Sequence, residues 1–243
     1  MAKKDNSLTF AIIFAAVTIS GSLIFFATQF AGGGMSDEEL AKKISAGIED
    51  YVENYENGGS ASAGDVVDGD FADDQPFIGE EDAPVTLVEF SDYRCGYCQK
   101  FHDETYPQLK EKYIDTGKVK FVYRDYLLGY SGDYEAALVA ECTRDQGGDE
   151  AFFQMHDYIF QTVSQGFDLE KYVTYAAEID LDGEELRSCV EDEKFKEEIY
   201  GDIDAGKSAG VSGTPGFLLN NKFISGAQPY ATFEQLIEAE LAK

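Results

Sequence analysis

The residues best able to do chemistry are two cysteines in the run Cys95-Gly96-Tyr97-Cys98. Such a pair either supplies half of a zinc site or cycles between a dithiol and a disulfide. The run follows an apolar segment, 85–90, and opens a predicted helix. The free N–H groups and the dipole at a helix N-terminus favour an anion, so Cys95 is the candidate low-pKa nucleophile. Cys98, one turn deeper, is the candidate resolving thiol.

Glu89 stands six residues before Cys95, inside the apolar segment. A buried carboxyl group there would have a raised pKa and could exchange protons with Cys98. The alternative is a Glu on the solvent face of the strand. Alternation along 85–90 does not decide between the two positions.

Thr214 and Pro215 lie in a Gly-Thr-Pro-Gly run just before a predicted strand, 217–220. Proline at the start of a strand gives up no ladder hydrogen bond, and a tight turn of this kind suits a cis bond. A trans bond is the default for an X–Pro pair, so the run alone leaves the isomer open.

Cys142 and Cys189 stand alone, without the second CxxC that a structural zinc site with Cys95 and Cys98 would usually have. We predict no metal site and a structural disulfide between Cys142 and Cys189. The alternatives are two unpaired buried thiols, or a shuttle pair that passes oxidation to Cys95.

The two histidines have modest predicted roles. His102 lies one turn beyond Cys98 and could tune the thiolate, but a surface position is favoured. His156 lies among aromatic residues of a predicted helix and is interpreted as structural. With only two histidines in the chain, His-rich metal catalysis is not expected.

The elements that position these residues form an α/β pattern. Apolar runs predict strands at 85–90 and 118–124, and a hairpin of 217–220 and 222–224 around Asn220-Asn221. A helical stretch at 95–116 separates the first two strands. Periodic helical segments follow at 134–144, 150–162, 169–177, 184–189 and, last in the chain, 233–242.

An uncharged, mostly apolar stretch at 8–31 is long enough to cross a bilayer as a helix. The alternative is a cleaved signal peptide, but the stretch is long for one and lacks a good cleavage site. Lys3 and Lys4 precede the stretch and acids follow it, which predicts a cytoplasmic N-terminus and an extracytoplasmic remainder. The predicted localisation is therefore the cell membrane, with a single pass.

Between the anchor and the folded domain we predict an amphipathic helix at 37–56 and a Gly, Ser and Asp-rich linker at 57–74. The predicted domains are 1–31, a cytoplasmic stub and anchor; 32–76, a helix and acidic linker; and 77–243, the folded domain. A helical insertion occupies about 127–208 of that domain.

The formal net charge of −28, from 47 acidic and 19 basic residues, excludes most nucleic-acid partners, because phosphates would be repelled. The acidity is interpreted as a solvated surface, and adaptation to high salt is a hypothesis.

The run Pro84-Val-Thr-Leu-Val-Glu-Phe-Ser-Asp-Tyr-Arg-Cys-Gly-Tyr-Cys-Gln-Lys-Phe101 closely resembles the active-site region of DsbA-like thiol:disulfide oxidoreductases. Gly210-Val-Ser-Gly-Thr-Pro-Gly-Phe-Leu-Leu-Asn220 resembles their cis-proline loop, and Ser225-Gly-Ala-Gln-Pro-Tyr230 the close of their last strand. The resemblance covers roughly 77–243 and implies a thioredoxin-like fold with a long helical insertion.

The resemblance also implies roles for individual residues. Cys95 would be the nucleophile, Cys98 the resolving thiol and Glu89 the buried carboxyl group. Pro215 would be cis beside Cys95, and the Thr214 backbone would pair with substrate as an added strand. Gly96 and Tyr97 would lie against the substrate. The redox-active disulfide would serve without any further cofactor.

The chain departs from many oxidases of the family, which have Pro-His between the cysteines. Gly96-Tyr97 with Thr214 before the proline resembles the disulfide isomerases instead. Those have a sizeable N-terminal dimerisation domain, whereas here we predict a helix and linker in that place, and the long insertion is DsbA-like. The leading hypothesis is a membrane-anchored oxidase of unfolded or reduced client proteins, reoxidised by a membrane redox partner. The alternatives are an isomerase or reductase, and a non-redox binding protein with a zinc-bound or inert CxxC.

Overall fold

The computed structural model describes residues 64–243. The predicted anchor at 8–31, the predicted helix at 37–56 and the linker up to residue 63 lie outside the described residues. Within 64–243, no helix is both long and apolar enough to cross a bilayer.

A five-stranded mixed sheet forms the centre of the described part. Its strands are β1 Phe77–Ile78, β2 Val85–Ser91, β3 Val119–Asp125, β4 Gly216–Leu219 and β5 Lys222–Ser225. They lie in the order β1-β3-β2-β4-β5. The β2 and β3 strands are parallel, whereas the other neighbours are antiparallel.

The parallel pairing determines where the site lies. Ser91 at the end of β2 is opposite Asp125 at the end of β3, so the residues after both strands meet at one edge of the sheet. The antiparallel β4 begins at the same edge, where Gly216 is opposite Phe90. The segments that contain Cys95 and Pro215 are therefore neighbours, although they are far apart in sequence.

The described range contains seven α-helices: α1 Gly96–Glu104, α2 Tyr106–Leu109, α3 Asp133–Thr162, α4 Leu169–Glu178, α5 Gly183–Glu191, α6 Lys196–Ser208 and α7 Tyr230–Leu241. A π-helical turn, Lys110–Ile114, extends α2, and a 3-10 turn, Val163–Gln165, ends α3. The backbone of α3 is broken at Gly148, where φ is 70°. Positive φ favours glycine, and the break separates the two helical segments that periodicity predicts.

The β4–β5 hairpin has the predicted turn. Asn220 and Asn221 have φ of 45° and 63°. Asparagine tolerates this left-handed region better than most residues, and two successive positive φ values are typical of a two-residue hairpin loop.

The predicted linker at 57–74 is wrong over its described part, and the folded domain begins before residue 77. Val66 forms a bridge with Lys222 on β5. Phe71 is 5% exposed, packs edge-on against Phe90, and its carbonyl accepts a hydrogen bond from Arg124. The sequence around Phe71 is rich in Gly and Asp, which favours a linker, so the burial of this one aromatic residue could not be predicted.

Candidate active site

Cys95 is the N-cap residue of α1. Its backbone is extended, with φ −78° and ψ 122°, and the helix begins at Gly96. The turn before it is closed by a hydrogen bond from the Cys95 N–H to the Asp92 carbonyl, 3.0 Å long. Both cysteines are reduced in this structure, with Cys95 5% and Cys98 0% exposed. The Cys95 sulfur therefore lies where helix N–H groups stabilise a thiolate.

The two thiols differ strongly in acidity. A hydrogen bond from the Cys98 thiol lowers the pKa of Cys95 to about 5. Burial opposes this effect, and the N–H groups of Tyr97 and Cys98 add to it. Burial is the main cause that raises the pKa of Cys98 well above its usual value. The hydrogen bond to Cys95 and the charge of the nearby Glu89 raise it further. The pair thus combines a thiolate at neutral pH with a thiol that keeps its proton.

Glu89 lies inside the domain and not on its surface. It is 2% exposed, and its Oε1 accepts a hydrogen bond of 2.8 Å from the Ser91 hydroxyl. Burial, opposed by the Ser91 bond, raises the pKa of Glu89 to about 8. Ser91 also lowers the pKa of Cys98, against the effect of burial, which indicates that its hydroxyl lies close to the deeper thiol as well as to the carboxyl group.

The Thr214–Pro215 peptide bond is cis. The Thr214 carbonyl oxygen lies 3.5 Å from the Cys95 sulfur, within hydrogen-bond range of the thiol. The structure therefore brings together Cys95, Cys98, Glu89, Thr214 and Pro215, all of which the sequence analysis selected.

Cys142 and Cys189 form a disulfide that links α3 to α5, with 5.9 Å between their Cα atoms. The two residues lie in the helical insertion, and the structure gives them no hydrogen bond to the Cys95–Cys98 pair.

Known proteins are similar to this chain in sequence and fold. The family model described as Thioredoxin matches residues 72–239. Disulfide bond formation protein D of Bacillus subtilis is 30% identical over 177 residues, which make up 69% of this chain and 77% of that protein. This chain belongs to the DsbA-like thioredoxin superfamily. The crystal structure of oxidised BdbD from Bacillus subtilis matches with a TM-score of 0.68 at 29% identity, covering 74% of this chain and 100% of that one.

A second solved structure, that of α-DsbA1 from Wolbachia pipientis, has the same fold at 24% identity, with a TM-score of 0.63 over 70% of this chain and 92% of that one. The predicted thioredoxin-like α/β fold is confirmed. The DsbA-like chain is a thiol:disulfide oxidoreductase, and members of its family work through a redox-active cysteine pair.

The edge of the sheet around the DsbA-like cysteine pair is partly apolar. Tyr97 is 68% exposed. The loop after β3 presents Leu128 and Tyr130, which are 40% and 49% exposed. Large exposed apolar side chains beside a reactive thiol suit contact with an unfolded polypeptide.

Sequence reasoning missed two residues of the site, Ser91 and Asp92. Both are fully buried although both are polar. The available signal was their position, since two polar residues directly follow a buried strand and precede the reactive turn.

The interpretation of His102 as a surface residue is wrong. Its side chain is 12% exposed and its Nε2 donates a hydrogen bond to Asp157 Oδ1, on α3 of the insertion. His156 is buried among aromatic rings, as a structural role requires.

Proposed function

We propose that this chain is a membrane-anchored, extracytoplasmic protein disulfide oxidase. The observation that supports this direction best is the pKa of Cys95, which is lowered to about 5. A thiolate that is stabilised in the reduced protein makes the corresponding disulfide a stronger oxidant. The name of the Bacillus subtilis relative, disulfide bond formation protein D, supports the same direction.

The reaction begins with the Cys95–Cys98 disulfide. A client thiolate attacks the Cys95 sulfur, a mixed disulfide forms, and Cys98 leaves with the electron pair of the broken bond. The second client thiolate then attacks the client sulfur of the mixed disulfide. Cys95 leaves as a thiolate, the client gains one disulfide, and the protein retains both electrons as a dithiol.

Cys98 needs a proton when it leaves, because burial raises its pKa far above neutrality. Glu89, whose pKa is raised to about 8, is protonated at pH 7. The Ser91 hydroxyl donates to Glu89 Oε1 in this structure and lowers the pKa of Cys98. Once rotated toward the Cys98 thiolate, it would donate its own proton to Cys98 and accept the proton of Glu89. This relay protonates the leaving thiolate without opening the core to water.

Client polypeptides would bind along the cis-proline loop. The backbone of Thr214 lies beside the Cys95 sulfur, so a client strand paired with it would bring its own cysteine to the reactive atom. Tyr97, 68% exposed, would pack on apolar side chains next to that cysteine. Unfolded or reduced proteins are the expected clients, since folded ones hide such segments.

The location is proposed from the sequence. The apolar stretch at 8–31, with Lys3 and Lys4 before it, supports a single membrane anchor with the catalytic domain outside the cytoplasm. The Cys142–Cys189 disulfide supports an oxidising compartment. Reoxidation would come from a membrane redox partner.

The deciding experiment is the redox equilibrium of Cys95–Cys98 with glutathione. An oxidase should have a potential nearer to about −120 mV than to the thioredoxin value of about −270 mV. It should also oxidise a reduced client faster than it reduces insulin. A strongly reducing potential would indicate a reductase, and efficient rescue of scrambled disulfides would indicate an isomerase.

The location has its own test. The full-length chain should remain with membranes after carbonate extraction, and its C-terminal domain should be cleaved by protease added from outside. A soluble processed form that begins near residue 32 would contradict the anchor and leave the redox proposal intact.

A further inference from the structure

The two histidines of the chain meet on one carboxylate. His102 lies on α1, four residues after Cys98, whereas His156 and Asp157 lie in the second half of α3. The two histidines are 54 residues apart in sequence and lie on helices from different parts of the domain. The chain has only two histidines, and both contact Asp157, which calls for an explanation.

The distances suit a metal site. His102 Nε2 lies 3.2 Å and His156 Nδ1 2.9 Å from Asp157 Oδ1. The three potential ligand atoms lie within 4.8 Å of one another. Two ligands bound to one Zn²⁺ at about 2.0–2.1 Å are about 3 Å apart at bond angles of 90–100°. A small shift of the two rings would allow all three atoms to reach one ion.

The surroundings suit a cation that enters from solvent. The exposed fractions of the His156, His102 and Asp157 side chains are 2%, 12% and 38%, so the imidazoles are sheltered and the carboxylate is accessible. Asp157 also lines a surface cavity of about 310 Å³ together with Asp149 and Glu150. Lys110 and Asp149 line the same cavity, but Lys110 is paired with Asp115 and Asp149 with Arg144. The carboxylates of Glu150 and Asp157 make the entrance acidic.

We propose that His102, His156 and Asp157 bind one divalent transition-metal ion of the Zn²⁺ type. Two imidazole nitrogens and a carboxylate oxygen are ligands that this class of ion accepts, and three protein ligands leave a position open to water. The ion would join α1 of the active-site layer to α3 of the insertion. In the described residues, none of the three side chains is hydrogen-bonded to Cys95 or Cys98.

The test uses the full-length chain without a polyhistidine tag, in detergent, with Cys95–Cys98 oxidised. In that state the cysteine sulfurs cannot bind Zn²⁺, so the result does not depend on the proposed oxidase activity. After treatment with a chelator, titration with Zn²⁺ should give one tight equivalent. His102→Gln and Asp157→Asn should each weaken this binding at least about tenfold, since each removes one of three ligands.

Glu104→Gln is the matched control. Glu104 lies on the same helix, with its side chain 67% exposed and its carboxylate 4.0 Å from Lys100 Nζ. Its loss should leave Zn²⁺ affinity unchanged. Equal affinity in the wild type and His102→Gln, or no tight equivalent in the wild type, overturns the proposal and leaves a purely hydrogen-bonded cluster.

A spectroscopic measurement identifies the atoms. Protein labelled with ¹⁵N-histidine contains two imidazoles, so its spectrum is simple to assign with the His102→Gln variant. Zn²⁺ should shift His102 Nε2 and His156 Nδ1 to metal-bound values and raise the melting temperature. A shift of the opposite ring nitrogens, or none, would contradict the proposed ligand set.

Discussion

The Asp92 carboxylate accepts a hydrogen bond from the Leu128 N–H, with 2.8 Å between Oδ2 and N. Its other oxygen, Oδ1, accepts one of 2.7 Å from the Arg94 N–H. Asp92 is fully buried, and burial raises its pKa to about 6, although the two hydrogen bonds lower it. One side chain therefore joins the turn before Cys95 to the loop that presents Leu128 and Tyr130.

Replacement of Asp92 should loosen that loop at one end. In Asp92→Ala the Leu128 amide loses its acceptor, so its hydrogen exchange should accelerate at least about tenfold, equivalent to about 1.4 kcal/mol. Gly129 and Tyr130 should stay protected, because Asp133 accepts from both amides. Asp133→Ala provides the reciprocal control, exposing those two amides and sparing Leu128. Uniform acceleration would mean global destabilisation instead.

The nucleophile is tested by alkylation. In the reduced protein, Cys95 should react with iodoacetamide with a midpoint near pH 5, whereas Cys98 should stay unreactive at pH 7. Cys98→Ala should move the Cys95 midpoint upward, because the Cys98 thiol is the largest cause of its lowered pKa. Faster labelling of Cys98 than of Cys95 at neutral pH would reverse the assignment.

Variants of the two cysteines should differ in kind. Cys95→Ser should abolish disulfide transfer, because no nucleophile remains. Cys98→Ser should instead accumulate mixed disulfides, because its Cys95 thiolate can still attack a disulfide of an oxidised client and no Cys98 thiol remains to displace that client. Non-reducing electrophoresis followed by reduction separates these outcomes, and trapped clients with Cys95→Ser would contradict them.

Glu89→Gln should change stability in a pH-dependent way. The unfolded chain ionises Glu89 near pH 4.5, whereas the folded protein keeps the proton until about pH 8. The wild type should therefore lose stability as pH rises through this window, and the variant should not. At pH 7 the variant should be more stable by about 3 kcal/mol, with no difference near pH 4.

Disulfide transfer by Glu89→Gln should nevertheless be slower, because Cys98 loses its proton donor. Glu104→Gln is the matched control on α1, where the Glu104 side chain is 67% exposed, and should change neither property. A stability difference that is the same at pH 4 and pH 7 would indicate altered packing and not a buried proton.

Removal of the Cys142–Cys189 disulfide should lower stability and spare activity. The bond closes a 47-residue separation, for which chain entropy predicts about 4 kcal/mol. The Cys142→Ala/Cys189→Ala double variant should melt at a lower temperature yet transfer disulfides normally where it is folded. Lost turnover at unchanged stability would favour a shuttle role for the pair.

The reactive groups could be predicted because their signals are local. Cys95 and Cys98 stand at a strand end and a helix start, and Pro215 stands at the start of a strand. The burial of Glu89 could not be predicted, since both faces of the central β2 strand are covered and alternation is lost.

Tertiary packing explains the other misses. His102 has the exposed neighbours Lys100, Asp103 and Glu104, which suggest a solvent face. Its own side chain nevertheless lies against Asp157 and Phe160 of α3. Helix α6, Lys196–Ser208, was missed because its buried residues are few and one of them, Asp202, is charged and paired with Arg124. Two residues are too short a strand for any periodicity, so β1 gave no signal.

The positive-φ break at Gly148 divides α3 into two helical segments with different attachments. Cys142, before the break, is fastened to α5, whereas Asp157, after it, is fastened to α1 through His102. In an unbroken helix, a movement at Cys142 would also displace Asp157. With the break, we expect reduction of the Cys142–Cys189 disulfide to loosen only the segment before Gly148. An oxidant or reductant that changes the Cys142–Cys189 bond should therefore leave the position of α1, and of Cys95 at its start, unchanged.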